Sequence, residues 1–498
     1  MEGQARRTGR LMVAGTTSDA GKSLVTTALC RAFARRGVRV APFKAQNMSN
    51  NSMVCADGAE IGRAQWVQAL AAGAEPESAM NPVLLKPGGD RRSHVVVMGK
   101  PAGEISSREF IGGRTHLAEA AYAAYDDLSS RYDLVVAEGA GSPAEINLRA
   151  GDYVNMGLAR HADMPVVVVG DIDRGGVFAA LYGTVALLEP ADQALIAGFV
   201  INKFRGDETL LAPGLRRLEE LTGRPVVGTL PWRSDVWLDS EDALDLQGRR
   251  GVAASDLRVV VVRLPRISNF TDVDALGLEP GVDVVFTADP HDLAGADLVV
   301  LPGTRATIAD LAWLRSRGLD RAIVRHAGAG RAVLGICGGF QMLGRHVHDP
   351  GGVETDGPAS VPGLGLLPVE TTFTVRKVLR LPRGEALGAP AWGYEIHHGR
   401  ITRAAGTAEF LGGARDGNVL GTMWHGSLES DALRSAVLEL AATASGRSFT
   451  PSGVSFAAAR QARLDLLADL AEKHLDVDAL LTLAERGAPA APVIGPYA

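Results

Sequence analysis

Cys337 lies where a nucleophile is expected, at the junction of an apolar run and a helical pattern. Residues 332–334 (Ala-Val-Leu) predict a short buried strand, and residues 340–343 (Phe-Gln-Met-Leu) predict the start of a helix. The small residues Gly338 and Gly339 permit a sharp turn between the two. A cysteine on such a turn has the geometry of a nucleophile elbow, and the helix N-terminus favours its thiolate. The alternative is a buried structural cysteine.

Two more predicted strand ends carry groups that could act with Cys337. The predicted strand 297–301 leads into the loop Pro302-Gly303-Thr304, so the amides of Gly303 and Gly338 could form an oxyanion hole. A later apolar run ends at His425, a candidate general base. His397 and His398 stand between Cys337 and His425, and either could be the base instead. The three strand ends together favour catalysis over a structural role for the cysteine.

A second set of residues predicts a phosphate-binding loop near the start of the chain. Residues 11–14 predict a strand, residues 15–23 (GTTSDAGKS) a glycine-containing loop, and residues 24–36 a helix. Backbone amides at the helix start bind phosphate oxygens, while lysine adds positive charge and serine suits Mg²⁺. The predicted nucleotide contacts are Thr17, Asp19, Ala20, Gly21, Lys22, Ser23 and, for the adenine edge, Asn202.

Candidate carboxylate ligands for a metal ion lie at or near the ends of other predicted strands. Glu138 follows the predicted strand 132–137 and is placed to hold Mg²⁺ with Ser23. Asp57 is a second candidate metal ligand, or else a simple helix cap. The polar loop of residues 44–52 follows another strand and predicts a binding loop, with an ordinary solvated loop as the alternative. Its substrate or phosphate contacts would include Gln46 and Asn47.

Alternating strand and helix patterns indicate the elements that position these groups. The 498 residues suffice for two or three domains, and the βα alternation predicts α/β domains with doubly wound parallel sheets. The predicted division is an ATP-binding domain (1–238), a linker (239–256), a second doubly wound domain (257–445), helices packed on that second domain (446–486) and a disordered tail (487–498).

The net charge and the cysteine content restrict the classes of binding partner and the cellular compartment that we expect for this protein. The net charge of −6 gives no reason to expect a nucleic acid or an anionic membrane surface as a partner. Three cysteines cannot form a disulfide framework, so we expect a reduced, cytoplasmic protein. The first residues fit neither a signal peptide nor an anchor. The sequence leaves the oligomeric state open.

The segment from about Leu257 to Glu429 resembles the class I glutamine amidotransferases, which implies a flavodoxin-like fold for the second domain. The resemblance implies that Cys337 is the nucleophile of glutamine hydrolysis, and that His425, at its strand end, is the base. One departure concerns the residue two positions after the histidine, which is Ser427 here where most of that class has Glu. Glu429, two residues further on, is a weak substitute, so the third member of the site stays open.

The chain as a whole resembles the family of cobyric acid synthases, which join a dethiobiotin-synthetase-like ATPase to such an amidotransferase. The phosphate loop has that ATPase's variant spacing, with Thr16 in the usual glycine position, whereas Ala14 departs from an expected Gln. The other segments that carry the resemblance are PFKAQNMSNNS (42–52), EIGRAQ (60–65), MNPVLLKP (80–87) and GYEIH (393–397).

The second resemblance implies ATP·Mg²⁺- and glutamine-dependent amidation of carboxylates b, d, e and g of adenosylcobyrinic acid a,c-diamide. By position, Lys22 and Ser23 contact nucleotide and metal, and Lys44 steadies the reacting carboxylate or phosphate. Asp152 faces the corrinoid or, equally, caps a loop. The alternatives are the earlier a,c-diamide synthase and a non-catalytic phosphate-loop switch protein.

Overall fold

The computed structural model describes residues 8–89, 92–106, 114–233 and 256–498. The chain divides into two compact units. The first comprises the described residues up to Ser49, residues 59–233 and Gln461–Ala498, and the second comprises Asn50–Gly58 and residues 256–460. The predicted linker, apart from its last residue, lies outside the described residues. The α/β class and the presence of two domains are confirmed.

The first unit is built on a six-stranded parallel sheet. Its strands are short apolar runs buried along almost their whole length, as expected for parallel strands covered on both faces. They are β1 (Gly9–Gly15), β2 (Val40–Phe43), β9 (Leu134–Glu138), β10 (Val166–Asp171), β11 (Ile196–Phe204) and β12 (Val226–Pro231). Their order across the sheet is β12-β11-β10-β1-β9-β2. The carboxyl ends of β1, β9, β10 and β11 therefore meet at one edge.

A smaller sheet and most of the helices complete the first unit. The smaller sheet has the order β3-β6-β7-β8, formed by β3 (Gln46–Met48), β6 (Val83–Gly89), β7 (Arg92–Val97) and β8 (Lys100–Ser106). A short strand, β5 (Glu60–Gly62), lies outside this sheet and leads into the helix α2. The helices are α1 (Lys22–Arg35), α2 (Arg63–Ala72), α3 (Thr115–Arg131), α4 (Met156–Ala162), α5 (Val177–Leu187), α6 (Pro190–Gln193) and α7 (Glu208–Thr222).

The C-terminal helices overturn a prediction. From Gln461 onward, α12 (Phe456–His474) and α13 (Val477–Arg486) belong to the first unit, and not to the second domain on which they were expected to pack. Their apolar face, including Leu467 and Leu480, shares one core with Leu11 of β1 and Leu29 of α1. The helical periodicity revealed this apolar face but not the partner that buries it.

The last residues are also packed, which corrects the prediction of a disordered tail. Gln193 donates a hydrogen bond to the carbonyl of Ile494 at 3.0 Å and accepts one from its amide at 2.9 Å. Ile494 is buried, and Arg224 donates to the carbonyl of Pro492 at 3.1 Å. The side chains of Gln193 and Arg224 bind the backbone of this Ala/Pro-rich segment, and composition does not reveal such contacts.

The second unit has its own six-stranded sheet of order β14-β13-β15-β16-β24-β23, parallel except at β23. The strands are β13 (Leu257–Val262), β14 (Val282–Thr287), β15 (Leu298–Leu301), β16 (Ala332–Ile336), β23 (Ala414–Asp416) and β24 (Val419–Thr422). The helices are α8 (Thr307–Ser316), α9 (Leu319–Gly328), α10 (Gly338–Leu343) and α11 (Asp431–Ala444). The chain leaves β13, β15, β16 and β24 at the same edge, where their following loops gather.

Further strands of this unit lie outside the main sheet. A four-stranded sheet has the order β18-β17-β19-β22, and β20 and β21 form a hairpin. These strands are β17 (His346–Asp349), β18 (Ala359–Pro362), β19 (Val369–Arg380), β20 (Arg383–Ala386), β21 (Ala389–Trp392) and β22 (Glu395–Arg403); β4 (Ser52–Val54) lies in the Asn50–Gly58 segment. Among the described residues, no helix is both long and apolar enough to cross a membrane.

Candidate active sites

Cys337 occupies the sharp turn that the sequence predicts. It follows β16, precedes α10 and has φ 50° and ψ −109°, a strained conformation for a residue with a side chain. A Cβ on Gly339 would lie 2.0 Å from the carbonyl oxygen of Leu301, so the neighbouring strand leaves room only for glycine there. Such strain is typical of nucleophile elbows, where the turn projects the reactive atom from the sheet edge.

His425 follows β24, the strand beside β16, and contacts the sulfur of Cys337. Its Nδ1 lies 2.7 Å from Oδ2 of Asp272, and the amide of Gly426 donates to Oδ1 of Asp272 at 2.8 Å. All three side chains are buried. The structure thus brings together a Cys-His-Asp set, in which the carboxylate fixes the imidazole so that Nε2 can face the sulfur.

The charge of His425 is set by its two neighbours. Burial by itself would lower the pKa of His425, but Asp272 and the sulfur of Cys337 outweigh that effect and raise this pKa to about 10. The site therefore favours the imidazolium form, which can donate a proton to a leaving amine. Tyr394 supports the ring from one face, with ring centroids 5.4 Å apart.

Gly303 lies next to His425, and Gly338 directly follows Cys337, as the prediction of an oxyanion hole requires. A Cβ on Gly303 would be 2.8 Å from Cε1 of His425, and one on Gly338 would be 2.6 Å from Cγ2 of Thr304. Both positions therefore need glycine for close packing. Their role in binding an oxyanion stays a prediction.

Asp272 is the residue that the sequence analysis missed. It lies in a short 3-10 turn (Phe270–Val273) after β13, far from Cys337 in sequence. Glu429, the substitute considered from its position, instead forms an ion pair with Arg460 at 2.9 Å. The sequence did contain a signal for Asp272: a polar loop follows β13, and β13 ends at the same sheet edge as the strands that precede Cys337 and His425.

The other two candidate bases have different surroundings. Nδ1 of His397 lies 2.9 Å from the carbonyl of Gly399, and Nδ1 of His398 lies 3.1 Å from the carbonyl of Thr374. Burial lowers the pKa of His398 to about 4, and Lys377 adds to this effect. Both rings are engaged by backbone carbonyls of β19 and β22, whereas His425 contacts the cysteine.

The phosphate loop joins β1 to α1 in the first unit. Gly21 has φ 102°, and a Cβ there would lie 2.0 Å from Nδ2 of Asn202. That amide donates to the carbonyl of Ala20 at 2.9 Å, so Asn202 braces the loop. Nζ of Lys22 donates to the carbonyls of Thr17, at 2.7 Å, and Ser18, at 3.0 Å. Thr17 and Asp19 are exposed.

Glu138 ends β9, next to β1, and gathers polar groups around a buried carboxylate. Its Oε1 accepts from Oγ of Ser23 at 2.9 Å and from Nζ of Lys44 at 2.8 Å. Its Oε2 accepts from Nε2 of Gln68 at 2.6 Å, a contact the sequence analysis did not predict. Burial would raise the pKa of Glu138, but Lys44 and these hydrogen bonds hold it below its usual value.

Ser23 and Glu138 fit a magnesium ion. Mg²⁺ prefers one or two carboxylates together with substrate phosphates and water, and this pair offers a hydroxyl and a carboxylate beside the phosphate loop. Asp57, the other candidate metal ligand, is exposed and belongs to the segment Asn50–Gly58 of the second unit, whereas Ser23 and Glu138 belong to the first. Asp57 does not cap α2, since the N-cap residue of that helix is Gly62.

The remaining predicted contacts are held by neighbours within the first unit. Oε1 of Gln46 accepts from Tyr153 at 2.6 Å and from Arg114. Nδ2 of Asn47 donates to Gln65 at 3.0 Å. The carboxylate of Asp152 accepts from the amides of residues 154, 155 and 157, so the capping alternative is the one observed.

Comparison with known proteins follows the same division of the chain. Residues 11–245 match the CobQ/CobB/MinD/ParA nucleotide binding domain, and residues 258–433 match the CobB/CobQ-like glutamine amidotransferase domain. A solved structure described as a glutamine amidotransferase covers 36% of this chain and 98% of its own, with 23% identity and a TM-score of 0.30.

Similar proteins span nearly the whole chain. The cobyric acid synthase of Mycolicibacterium gilvum (strain PYR-GCK) is 73% identical over 482 residues, which cover 96% of this chain and 97% of the relative. That of Mycobacterium ulcerans (strain Agy99) is 70% identical over 494 residues, covering 98% and 99%. The family predicted from the motifs is confirmed: this chain belongs to the cobyric acid synthases, a family of glutamine-hydrolysing ligases.

Proposed function

We propose that this chain amidates carboxylates b, d, e and g of adenosylcobyrinic acid a,c-diamide, using glutamine as the nitrogen donor and ATP to activate the acid. The observation that carries the proposal is the identity of about seven residues in ten with cobyric acid synthases across both units. The Cys337 set in one unit and the phosphate loop in the other supply the two chemistries that such a reaction needs.

Glutamine hydrolysis is assigned to Cys337, His425 and Asp272. The sulfur attacks the side-chain amide, the oxyanion is stabilised by the amides of Gly303 and Gly338, and the imidazolium of His425 gives its proton to the departing ammonia. Water then attacks the thioester with His425 as base, which releases glutamate. Asp272 keeps the imidazole oriented throughout, as its 2.7 Å contact with Nδ1 allows.

Acid activation is assigned to the phosphate loop. Transfer of the γ-phosphoryl group of ATP to the substrate carboxylate gives an acyl phosphate, and ammonia displaces phosphate from it to form the amide. Lys22 and Lys44 would neutralise charge on the phosphates, while the loop amides between Thr17 and Ser23 bind them. A magnesium ion held by Ser23 and Glu138 would supply further positive charge at the phosphates.

We also propose where the protein acts in the cell and which further residues contact the acid. All three cysteines are free thiols in the structure, in line with a reducing, cytoplasmic setting. Gln46 and Asn47, which follow Lys44, are the candidate contacts to the acid.

The decisive test is the mass of the product formed from each candidate acid with glutamine and ATP·Mg²⁺. We expect the a,c-diamide to gain four amide groups. Amidation of the a and c positions of the unamidated acid would instead favour the earlier a,c-diamide synthase. Absence of any amidation and of glutamine hydrolysis in a folded protein would favour a non-catalytic switch protein.

A further inference from the structure

A cavity in the second unit lies against β19 and β22 and has no part in the mechanism above. Its volume is about 740 Å³, which is within the range of small-molecule sites. Besides residues of these two strands, the described lining consists of Gly412 and Met423, without Cys337 or His425. The cavity is therefore a candidate binding site with its own set of lining residues.

The lining carries more positive than negative charge. It contains four basic side chains and one carboxylate, and these are Arg376, Lys377, Arg380, Arg400 and Glu395. Arg380 donates to Oε2 of Glu395 at 2.6 Å, so the one carboxylate of the described lining is already in an ion pair. The positive charges of Arg376 and Arg400 are therefore not balanced from within the lining.

Arg400 is half-buried and contacts only backbone carbonyls. Its Nη2 donates to the carbonyl of Arg376 at 2.6 Å, and its Nη1 lies 3.4 Å from the carbonyls of His398 and Gly399. In the part of the chain that the structure describes, neither Arg400 nor the exposed Arg376 forms an ion pair. A partly buried cation without a counter-ion is unfavourable, so these two side chains favour a bound anion.

His397 adds a buried polar atom to the same cavity. Its Nδ1 lies 2.9 Å from the carbonyl of Gly399, whereas its Nε2 makes no hydrogen bond. The nearest carboxylate oxygen, Oε1 of Glu395, lies 3.6 Å from Nε2, which is beyond hydrogen-bond distance. The residue is 9% exposed and lines the cavity. A polar group of a ligand would give this nitrogen the partner that buried polar atoms normally have.

The rest of the lining is mostly apolar, with the side chains of Val378, Leu379, Ile401 and Met423. Such walls suit the carbon skeleton of an organic molecule, and guanidinium groups suit carboxylates. A compact inorganic anion could pair with the arginines but would leave these apolar walls without a partner. The lining therefore favours an organic acid over an inorganic anion.

We propose that this cavity binds the carboxylate-bearing edge of an organic acid that carries several carboxylates on an apolar body. The acid to be amidated in the reaction proposed above has this chemistry, so the identity of the ligand rests on the proposed function. Each amidation replaces a carboxylate with a neutral amide, which cannot form an ion pair with a guanidinium group. The cavity should therefore bind the a,c-diamide more tightly than the product that has gained four amides.

The test follows the methionine methyl groups of the full chain by ¹³C NMR, without glutamine or ATP. We expect the a,c-diamide to shift the Met423 signal, identified by its loss in Met423→Leu, in a saturable way. Arg400→Gln should raise the Kd about tenfold or more, as the loss of a hydrogen bond to a charged group does. Arg376→Gln, at an exposed position, should raise it about two- to fivefold.

Three comparisons control this titration. Arg325→Gln removes an exposed arginine of α9 outside the cavity and should leave the Kd unchanged. Arg400→Lys keeps the positive charge and should retain most of the affinity. The fully amidated product should bind at least about tenfold more weakly than the a,c-diamide.

An unresponsive Met423 signal, or a Kd that neither Arg400→Gln nor Arg376→Gln changes, would overturn the proposal. Equal affinities for the a,c-diamide and the product would also overturn it, as would displacement of the acid by an equal concentration of inorganic tripolyphosphate. If the acid binds as expected but no amide forms with glutamine and ATP·Mg²⁺, only the proposed function is contradicted. If amides form while the Met423 signal does not respond, only the proposal for this cavity is contradicted.

Discussion

Asp272 completes the cysteine site in place of the glutamate that the class I pattern puts after the histidine. Because it fixes the imidazole at 2.7 Å, we expect Asp272→Asn to reduce kcat for glutamine hydrolysis by about 10² to 10⁴, with a much smaller change in KM. The matched control is Glu429→Gln, which removes the carboxylate closer in sequence to His425 and should keep kcat within a few-fold. Equal losses in the two variants would contradict the assignment of Asp272.

The raised pKa of His425 links the site to stability. The folded pKa of about 10 exceeds the ordinary value of 6.5, so the charged ring contributes stability that is fully present below pH 6.5 and lost as pH rises through about 10. The difference in Tm between the unmodified protein and His425→Gln should therefore shrink across that window. His116→Gln, at an exposed position, is the control and should show no such trend. A constant difference for His425→Gln would mean that the ring is not held in its charged form.

Individual site residues could be predicted from the sequence where a reactive side chain follows the end of a predicted strand. Cys337 and His425 stand directly after apolar runs, and Lys22 lies in a glycine-containing loop that follows one, so their loops could be recognised one by one. Asp272 could not, because its role depends on β13 lying beside β15 and on a turn that directs the carboxylate at a histidine distant in sequence. The contact of Gln68 with Glu138 likewise depends on a tertiary neighbour.

The β16–α10 turn is the element on which the glutaminase site depends. Gly339 has no room for a side chain, since a Cβ would lie 2.0 Å from the carbonyl oxygen of Leu301. We expect Gly339→Ala to lower the free energy of unfolding by about 1–3 kcal/mol or more, and to abolish glutaminase activity by moving Cys337. Urea unfolding and a glutaminase assay measure the two effects.

Gly328→Ala provides the control for that substitution. Gly328 is the last residue of α9, and a Cβ there meets no atom within 4 Å. This variant should be neutral or slightly more stable, because alanine favours a helix over glycine. Similar effects of the two substitutions would contradict the packing of the elbow against β15.

The C-terminal helices show what periodicity can and cannot predict for an element. Their spacing of leucines gave the helices correctly, but an apolar face fits either domain equally well. Only the shared core of Leu480 and Leu467 with Leu11 assigns them to the first unit. The bounds of parallel strands were easier to predict, because continuous apolar runs such as Val166–Asp171 have no helical alternative of that length.

The assignment of these helices predicts how the whole molecule loses its two activities on heating. Leu480 is fully buried, so Leu480→Ala should destabilise the first unit by about 2–5 kcal/mol. Nucleotide binding should be lost at a lower temperature, while the temperature at which glutaminase activity is lost should change little. Leu210→Ala, at a site 81% exposed, is the control and should change neither. Loss of glutaminase activity first would contradict the division into units.

Across the whole chain, the proposed function joins two reactions: one liberates ammonia, and the other activates the acid that receives it. The family and both domains could be predicted from long, specific motifs, whereas the packing of the last 38 residues, Gln461–Ala498, could not. Those residues make contacts with β1, α1 and α6, which sequence spacing does not bring together.

The most direct test of this coupling is amide formation by Cys337→Ala with glutamine or with ammonium as the nitrogen source. We expect no product from glutamine, because no thioester can form, and product from ammonium at a rate close to that of the unmodified protein. Full activity of this variant with glutamine, or failure of ammonium to restore the reaction in the folded variant, would contradict the account.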